Sequence, residues 1–273
     1  MSENVVYTKG WFDASRVIRN LPQPYCLLVD TPNVFHPTLP NIYVQVEPEA
    51  IIPIASYLIK KHPRYHTILT FHEDVLGSCK NARRYVYGTT WFSPDHYLHI
   101  DTSLKRYQIS HLAGGKLFPN ARGHLLRQEI HRHQDAFRGL PIVFYRSSQQ
   151  SAIKDYGGNP LLSRVHKDKR ELFETFQFAF VIENSRQYGY FTEKIMDCLL
   201  SKTIPIYWGC PNIRDYFDTT GWIVLEDTDL GSIRRSLDVL DPSYYSRYSE
   251  TIEANHQTAQ QYTDVYTNLD RAE

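Results

Sequence analysis

The sequence contains no run of 18 or more apolar residues, so no segment is expected to span a bilayer as a helix. Its first residues, Met1-Ser-Glu-Asn-Val, carry neither a basic start nor a long apolar stretch, so no signal peptide is expected. Cysteine is scarce: Cys26, Cys79, Cys198 and Cys210 lie far apart and form no CxxC pair. That spacing predicts reduced thiols in a cytoplasmic chain, not a disulfide framework or a zinc knuckle. The chain also lacks any excess of charge, with Lys+Arg 30 and Asp+Glu 30. Bulk attraction to nucleic acid or an acidic membrane is therefore excluded, while a local basic pocket for one phosphorylated ligand is not. The 12 histidines are scattered. Their densest group, His124, His131 and His133, is a poor metal site, because residues two apart on a helix do not share a face.

What is present belongs to an ordinary globular protein. A hydrophobic share of 42% over 273 residues supplies a core, and the length allows one large domain or two small ones. Tyrosine is abundant, at 20 residues. Its flat apolar face and polar tip suit sugars and bases as well as half-buried packing. Strand-like and helix-like stretches alternate, the pattern of parallel α/β sheets. Strands are predicted at 25–30, 42–47, 67–71, 106–111, 140–145, 176–183, 204–208 and 222–225. Helices are predicted within 51–61, 123–133, 168–175, 192–202, 230–239 and 243–263. The aromatic stretch from Tyr85 to Tyr107 has no clear period, and a domain boundary is placed near residue 104.

Several strands end on acidic residues, at the sheet edge where open α/β sheets bind ligands. His72-Glu73-Asp74 follows the strand at 67–71, and Glu47 follows the strand at 42–47. Glu73 is the first candidate for a general base, Asp74 its rival and Glu47 a further one. Thr192 is positioned to cap a helix whose first turn holds Glu193 and Lys194. The glutamate suits the helix dipole, whereas the lysine opposes it. An anion bound at the helix end explains the lysine, with Glu193 accepting from a ribose diol. A surface ion pair explains both residues equally well. Asp227-Thr-Asp229 has the spacing of a metal-holding pair, but Asp229 reads better as a helix cap. The loop Arg146-Ser-Ser-Gln-Gln-Ser reads as loop filler before a polar nucleotide contact. Trp208 reads as core, and Trp91 is divided evenly between core and a stacking surface.

The run Glu183-Asn-Ser-Arg-Gln-Tyr-Gly-Tyr-Phe-Thr-Glu-Lys194, followed by Thr203-Ile-Pro-Ile-Tyr-Trp-Gly-Cys-Pro-Asn212, resembles the donor-binding region of the α-1,3/4-fucosyltransferases of glycosyltransferase family ten. The likeness is good over 171–227 and weaker at Asn120–Arg127 and Thr70–Leu76. It implies a GT-B-like α/β fold: two Rossmann-like domains, an acceptor-side domain over 1–104 and a donor domain over 105–273, with the active site between them. The terminal helix is placed as packing back on the first domain. The resemblance further implies an inverting glycosyltransferase. Its first-choice donor is GDP-fucose, with UDP-xylose or another nucleotide-sugar as alternative, and its acceptor is a glycan hydroxyl. No cofactor or divalent metal is expected. Carried over residue by residue, Arg127 and Lys194 neutralise the diphosphate and Glu193 holds the ribose. Asn184 and Tyr190 line the pocket, Thr192 caps the helix, Glu183 shapes the loop and touches the donor sugar, and Glu73 or Asp74 takes the acceptor proton. A catalytically silent sugar binder and a nucleotide-sugar hydrolase are the other readings. The family's membrane-bound members carry an anchor and stem that this sequence does not show, so it resembles the soluble bacterial or viral kind.

Overall fold

The computed structural model describes residues 3–7, 12–147, 164–165 and 167–273. They form two parallel sheets. The first comprises β1 (Val5–Tyr7), β2 (Cys26–Val29), β3 (Asn41–Val44), β4 (Thr67–Thr70) and β5 (Ala82–Arg84), in that spatial order. Its central strands are almost unbrokenly apolar because both faces are covered. Cys26 and Leu28 point to one face, with Tyr43, Ile68 and the helix α1 (Ala55–Lys61). Leu27 and Val29 point to the other, with Ile42, Val44 and Phe71.

The second sheet comprises β6 (Arg106–Ala113), β7 (Ile142–Arg146), β8 (Arg164–Val165), β9 (Phe176–Ile182), β10 (Ile204–Trp208) and β11 (Ile223–Val224). Its spatial order is β11-β10-β9-β6-β7-β8. From β6 the chain first builds outward through β7 and β8. It then returns to the other side of β6 and builds outward again from β9. This is the strand order of a dinucleotide-binding sheet, and its switch point lies between β6 and β9, where such sheets bind ligands beyond the carboxyl ends.

The helix α2 (Glu73–Ser78) follows β4, and α3 (Pro94–Tyr97) lies in the crossover between the sheets. On the second sheet, α4 (Arg122–Arg132) places Leu126 and Ile130 against Phe178, Phe180 and Ile206, and α5 (Glu193–Leu200) buries Ile195, Met196, Leu199 and Leu200 on the opposite face. After α6 (Leu230–Ser236), the helix expected over 243–263 is broken at Tyr248 into α7 (Tyr244–Arg247) and α8 (Ser249–Gln260). A final helix not read from the sequence, α9 (Val265–Asp270), brings Tyr266 and Leu269 onto the first sheet's core. The last residue then exchanges two backbone hydrogen bonds with Arg84, of 2.5 and 2.9 Å.

Two helix predictions are corrected. The helix expected from 51 starts only at Ala55, because Pro53 supplies no N–H and the Glu49 carboxylate accepts from Ile54 N (3.0 Å) and Ala55 N (3.1 Å). The helix expected over 168–175 is a single 3-10 turn, Lys169–Leu172, closed by a reciprocal cap between Asp168 and Glu171. All four cysteines are buried and free. No helix among the described residues is long and apolar enough to cross a membrane.

Candidate active site

The site is built where α4 and α5 meet the end of β9. Gly123, in the first turn of α4, donates its N–H to Asn184 O at 3.0 Å. A Cβ at this position would fall 1.7 Å from Glu183 O, so only glycine lets the helix approach so closely. One turn later Arg127 reaches the same strand end. It donates to the carbonyls of Ile182 and, at 3.3 Å, of Glu183, and to Asn184 Oδ1 at 3.1 Å.

Glu183 is fully buried. Its carboxylate accepts from Thr192 N (2.9 Å) and Thr192 Oγ1 (2.9 Å), and Lys194 Nζ lies 3.5 Å away. Thr192 in turn caps α5 by accepting from Lys194 N at 3.3 Å. Glu183 therefore holds the loop that starts α5 and does not line the cavity. Lys194 Nζ contacts Thr192 Oγ1 at 3.0 Å and Glu193 Oε1 at 3.2 Å. Burial opposes the lysine's charge, but Glu193 and Glu183 outweigh it and raise its pKa. Burial likewise opposes the Glu193 carboxylate, yet Lys194 and Lys169 hold its pKa down at about 2. The two side chains thus stay charged while partly exposed, at 25% and 18% of their side chains.

A cleft of about 370 Å³ opens over this helix end. From the second-sheet side Arg127, Asn184, Tyr190, Thr192, Glu193 and Lys194 line it, with Gly114, Lys116, Phe118 and His124; from the first-sheet side and the crossover, Val46, Glu47, Ile51, Tyr87 and Trp91. A second lobe of about 240 Å³ shares Gly114, Arg127, Ser147, Glu193 and Lys194, and runs along β9 to Lys169 and Phe173. Gly114 follows β6 and Asn184 follows β9, so the cleft sits at the switch point. The donor-side residues named from the sequence, Glu183 apart, are therefore brought together on one wall. His124 is kept neutral there, with burial and Arg127 lowering its pKa to about 4.

Glu73 and Asp74 do not line this cleft. Glu73, half-exposed at the start of α2, is gripped in a bidentate pair by Arg84 (2.6 and 2.9 Å). That hydrogen bonding lowers the Glu73 pKa, which weakens it as a base. Asp74 faces outward, its N–H accepted by His72 Nδ1 at 3.2 Å. Glu47, ranked behind Glu73 from the sequence, lines the cleft instead. Burial raises its carboxyl pKa, opposed by Lys194 and Lys116 and by a hydrogen bond from Asn184. Its backbone is fixed from beneath: Asp30 accepts from Val46 N and Glu47 N, each at 2.9 Å. Burial pushes the Asp30 carboxyl up to about 7. Trp91 is exposed at the mouth, and Trp208 is buried in the core. Asp229 caps α6, accepting from Ser232 N at 2.8 Å, and Asp227 accepts from Asp229 N. Of the loop at Arg146–Ser151, Ser147 lines both lobes, and the residues from Ser148 on lie outside the described residues.

Over 61 residues the chain is 41% identical to the alpha-(1,3)-fucosyltransferase FucT of Helicobacter pylori, a stretch covering 22% of this chain and 13% of that protein. A crystal structure of an alpha1,3-fucosyltransferase with GDP superposes with a TM-score of 0.52 at 15% identity, covering 90% of this chain and 81% of that one. An alpha,alpha-trehalose 6-phosphate synthase from Burkholderia multivorans superposes with a TM-score of 0.56 at 10% identity, covering 90% and 70%. At such identities the superpositions speak for the fold alone, and that fold is GT-B. Residues 143–266 match the family model "Glycosyltransferase family 10 (fucosyltransferase) C-term". The stretch that carries β9, α5 and β10 thus matches the glycosyltransferase family 10 model, and the fold around it is GT-B.

Proposed function

We propose that the chain is an inverting glycosyltransferase that moves a sugar from a nucleotide-diphosphate donor, GDP-fucose first, to a hydroxyl of a glycan acceptor. The observation that carries this reading is one cleft with two unlike walls. One wall holds Arg127 and Lys194 beside the charged Glu193, and the other presents Glu47. We read residues 1–104 as the acceptor side and 105–273 as the donor side.

In this reading the donor diphosphate lies between Arg127 and Lys194, and the ribose diol donates to Glu193. The acceptor hydroxyl enters from the first-sheet side, and Glu47 takes its proton as the oxygen attacks the anomeric carbon. A sugar hydroxyl is a poor nucleophile, so a base with a raised pKa is well matched to it. The diphosphate departs with its charge met by fixed cations, which is stabilisation of the group where charge accumulates. A single displacement inverts the anomeric centre. Because the two side-chain cations supply the positive charge, turnover is expected without a divalent ion.

The test is a thermal-shift and calorimetry panel of GDP, UDP and their sugars, followed by donor turnover with and without an added glycan acceptor. A ligand at 100 times its Kd stabilises by about 2.7 kcal/mol. Stabilisation by GDP-fucose with acceptor-dependent turnover supports the transferase. Acceptor-independent turnover makes the protein a hydrolase, and binding without turnover makes it a silent sugar binder.

A further inference from the structure

Asp197 lies one turn after Glu193 on α5, is fully buried, and lines neither lobe of the cleft. An isolated buried carboxylate is costly, so what it holds is informative. Its Oδ1 accepts from Thr90 Oγ1 at 2.5 Å and from Trp91 N at 3.0 Å. Its Oδ2 pairs with Lys169 Nζ at 2.6 Å. Thr90 and Trp91 belong to the crossover between the sheets, and Trp91 lines the larger lobe. Lys169 comes from the 3-10 turn before β9 and lines the smaller lobe, with its Nζ 4.0 Å from Glu193 Oε1. The crossover is left-handed just upstream, at Gly88 (φ 56°) and Thr89 (φ 67°). It is anchored there by Thr89 N donating to Tyr262 O at 2.8 Å. One carboxylate thus joins the crossover, α5 and a cation at the donor site.

We propose that Asp197 and Lys169 are positioning residues for nucleotide binding: Asp197 fixes the Lys169 ammonium beside Glu193, and the same carboxylate ties the Trp91 crossover to the donor helix. The inference rests on the nucleotide-binding reading above. Lys169 acts through Glu193, keeping that carboxylate an acceptor for the ribose hydroxyls, and adds a third positive charge beside Arg127 and Lys194. Asp197→Asn separates the two duties. An amide oxygen still accepts from Thr90 and Trp91, but the lysine loses its counter-charge and is free to swing away.

The test measures GDP affinity by calorimetry for the full chain, Asp197→Asn, Lys169→Met, the double variant and Lys169→Arg, with melting temperatures alongside. Asp197→Asn and Lys169→Met are each expected to weaken GDP binding about tenfold, the size of a coupling between contacting residues. The double variant is expected to bind no worse than either single one, and Lys169→Arg to retain affinity within about twofold. Lys169→Met alters a side chain at the cleft edge, so it reports even if the buried substitution fails to fold. Unchanged GDP affinity in a folded Lys169→Met protein overturns the proposal and leaves the nucleotide reading intact. So do additive losses, or a lowered melting temperature with unaltered affinity. A parent chain that binds neither GDP nor UDP sinks both.

Discussion

β3 and β4 are neighbours in one parallel sheet, and the chain beyond each carries a glutamate, yet the two side chains meet opposite surroundings. Beyond β3, the chain runs on through Val46 to Glu47, fixed from below by Asp30, and Glu47 enters the cleft toward Asn184 and Lys194. Beyond β4, the chain turns at once into α2, so Glu73 is a first-turn helix residue and meets Arg84 from β5. Desolvation raises one carboxyl, and a bidentate guanidinium lowers the other. Position at a strand's carboxyl end is therefore not enough to bring a carboxylate into the cleft. What decides is whether the following residues start a helix immediately or first carry the side chain into the cleft.

The comparison breaks most directly at Glu47. Glu47→Gln preserves shape and removes proton acceptance, and turnover is expected to fall by about 10²–10⁴. GDP affinity, measured in parallel, is expected to hold within a few-fold, because the proposed nucleotide site lies on the other wall. Near-normal turnover would return the assignment to the loop after β4.

Lys194→Ala tests the opposite wall. Hydrogen bonds to charged groups contribute about 1.5–3 kcal/mol, so donor binding is expected to weaken roughly 10- to 150-fold by calorimetry. The same change bears on Glu47. Lys194 lowers the Glu47 pKa, and its loss lets desolvation raise that value further. The base must be deprotonated to act, so turnover falls as pH drops through the Glu47 pKa. The acid limb of the profile is expected above the ordinary glutamate range in the parent and higher again in Lys194→Ala. A limb below that range in the parent would contradict Glu47 as base.

The donor wall was more legible in the sequence than the acceptor wall, for a physical reason. Lys194 in the first turn of α5 is locally improbable, and such a mismatch is visible in one dimension. The contacts of Arg127 and Gly123 leave no local signal, because their partners are the carbonyls of residues 182–184, 55 to 61 positions away. Strands with continuous apolar runs, such as β2 and β9, were readable because both faces are buried. The three-residue β1 and β5 offered no period to read, and α9 is held by tertiary contacts to the first sheet. The contact with Arg84 that holds Glu73 away from the cleft is one that no local pattern announces. Lys169 gave no signal either, since its role depends on Asp197, distant in sequence and buried in the fold.

The smallest effect is expected at Glu73, and its smallness is the point of the comparison. Both partners of the Glu73–Arg84 pair are about half exposed, at 51% and 41% of their side chains. Exposed pairs contribute only about 0.2–1 kcal/mol, less in salt. Glu73→Gln should therefore leave turnover and GDP affinity within about twofold and cost a few tenths of a kcal/mol of stability, within the range for such pairs. The pH dependence of that cost has a fixed sign. The folded carboxyl is lowered by Arg84, so the unfolded chain binds its proton more readily. The stabilisation is then fully present above the unfolded glutamate pKa and is lost as pH falls through the folded one. Denaturant midpoints of the parent and Glu73→Gln should differ slightly at neutral pH and converge in acid. A large turnover loss in Glu73→Gln with an unchanged midpoint would show that the glutamate leaves Arg84 and reaches the cleft, and the contrast with Glu47 would have to be drawn the other way.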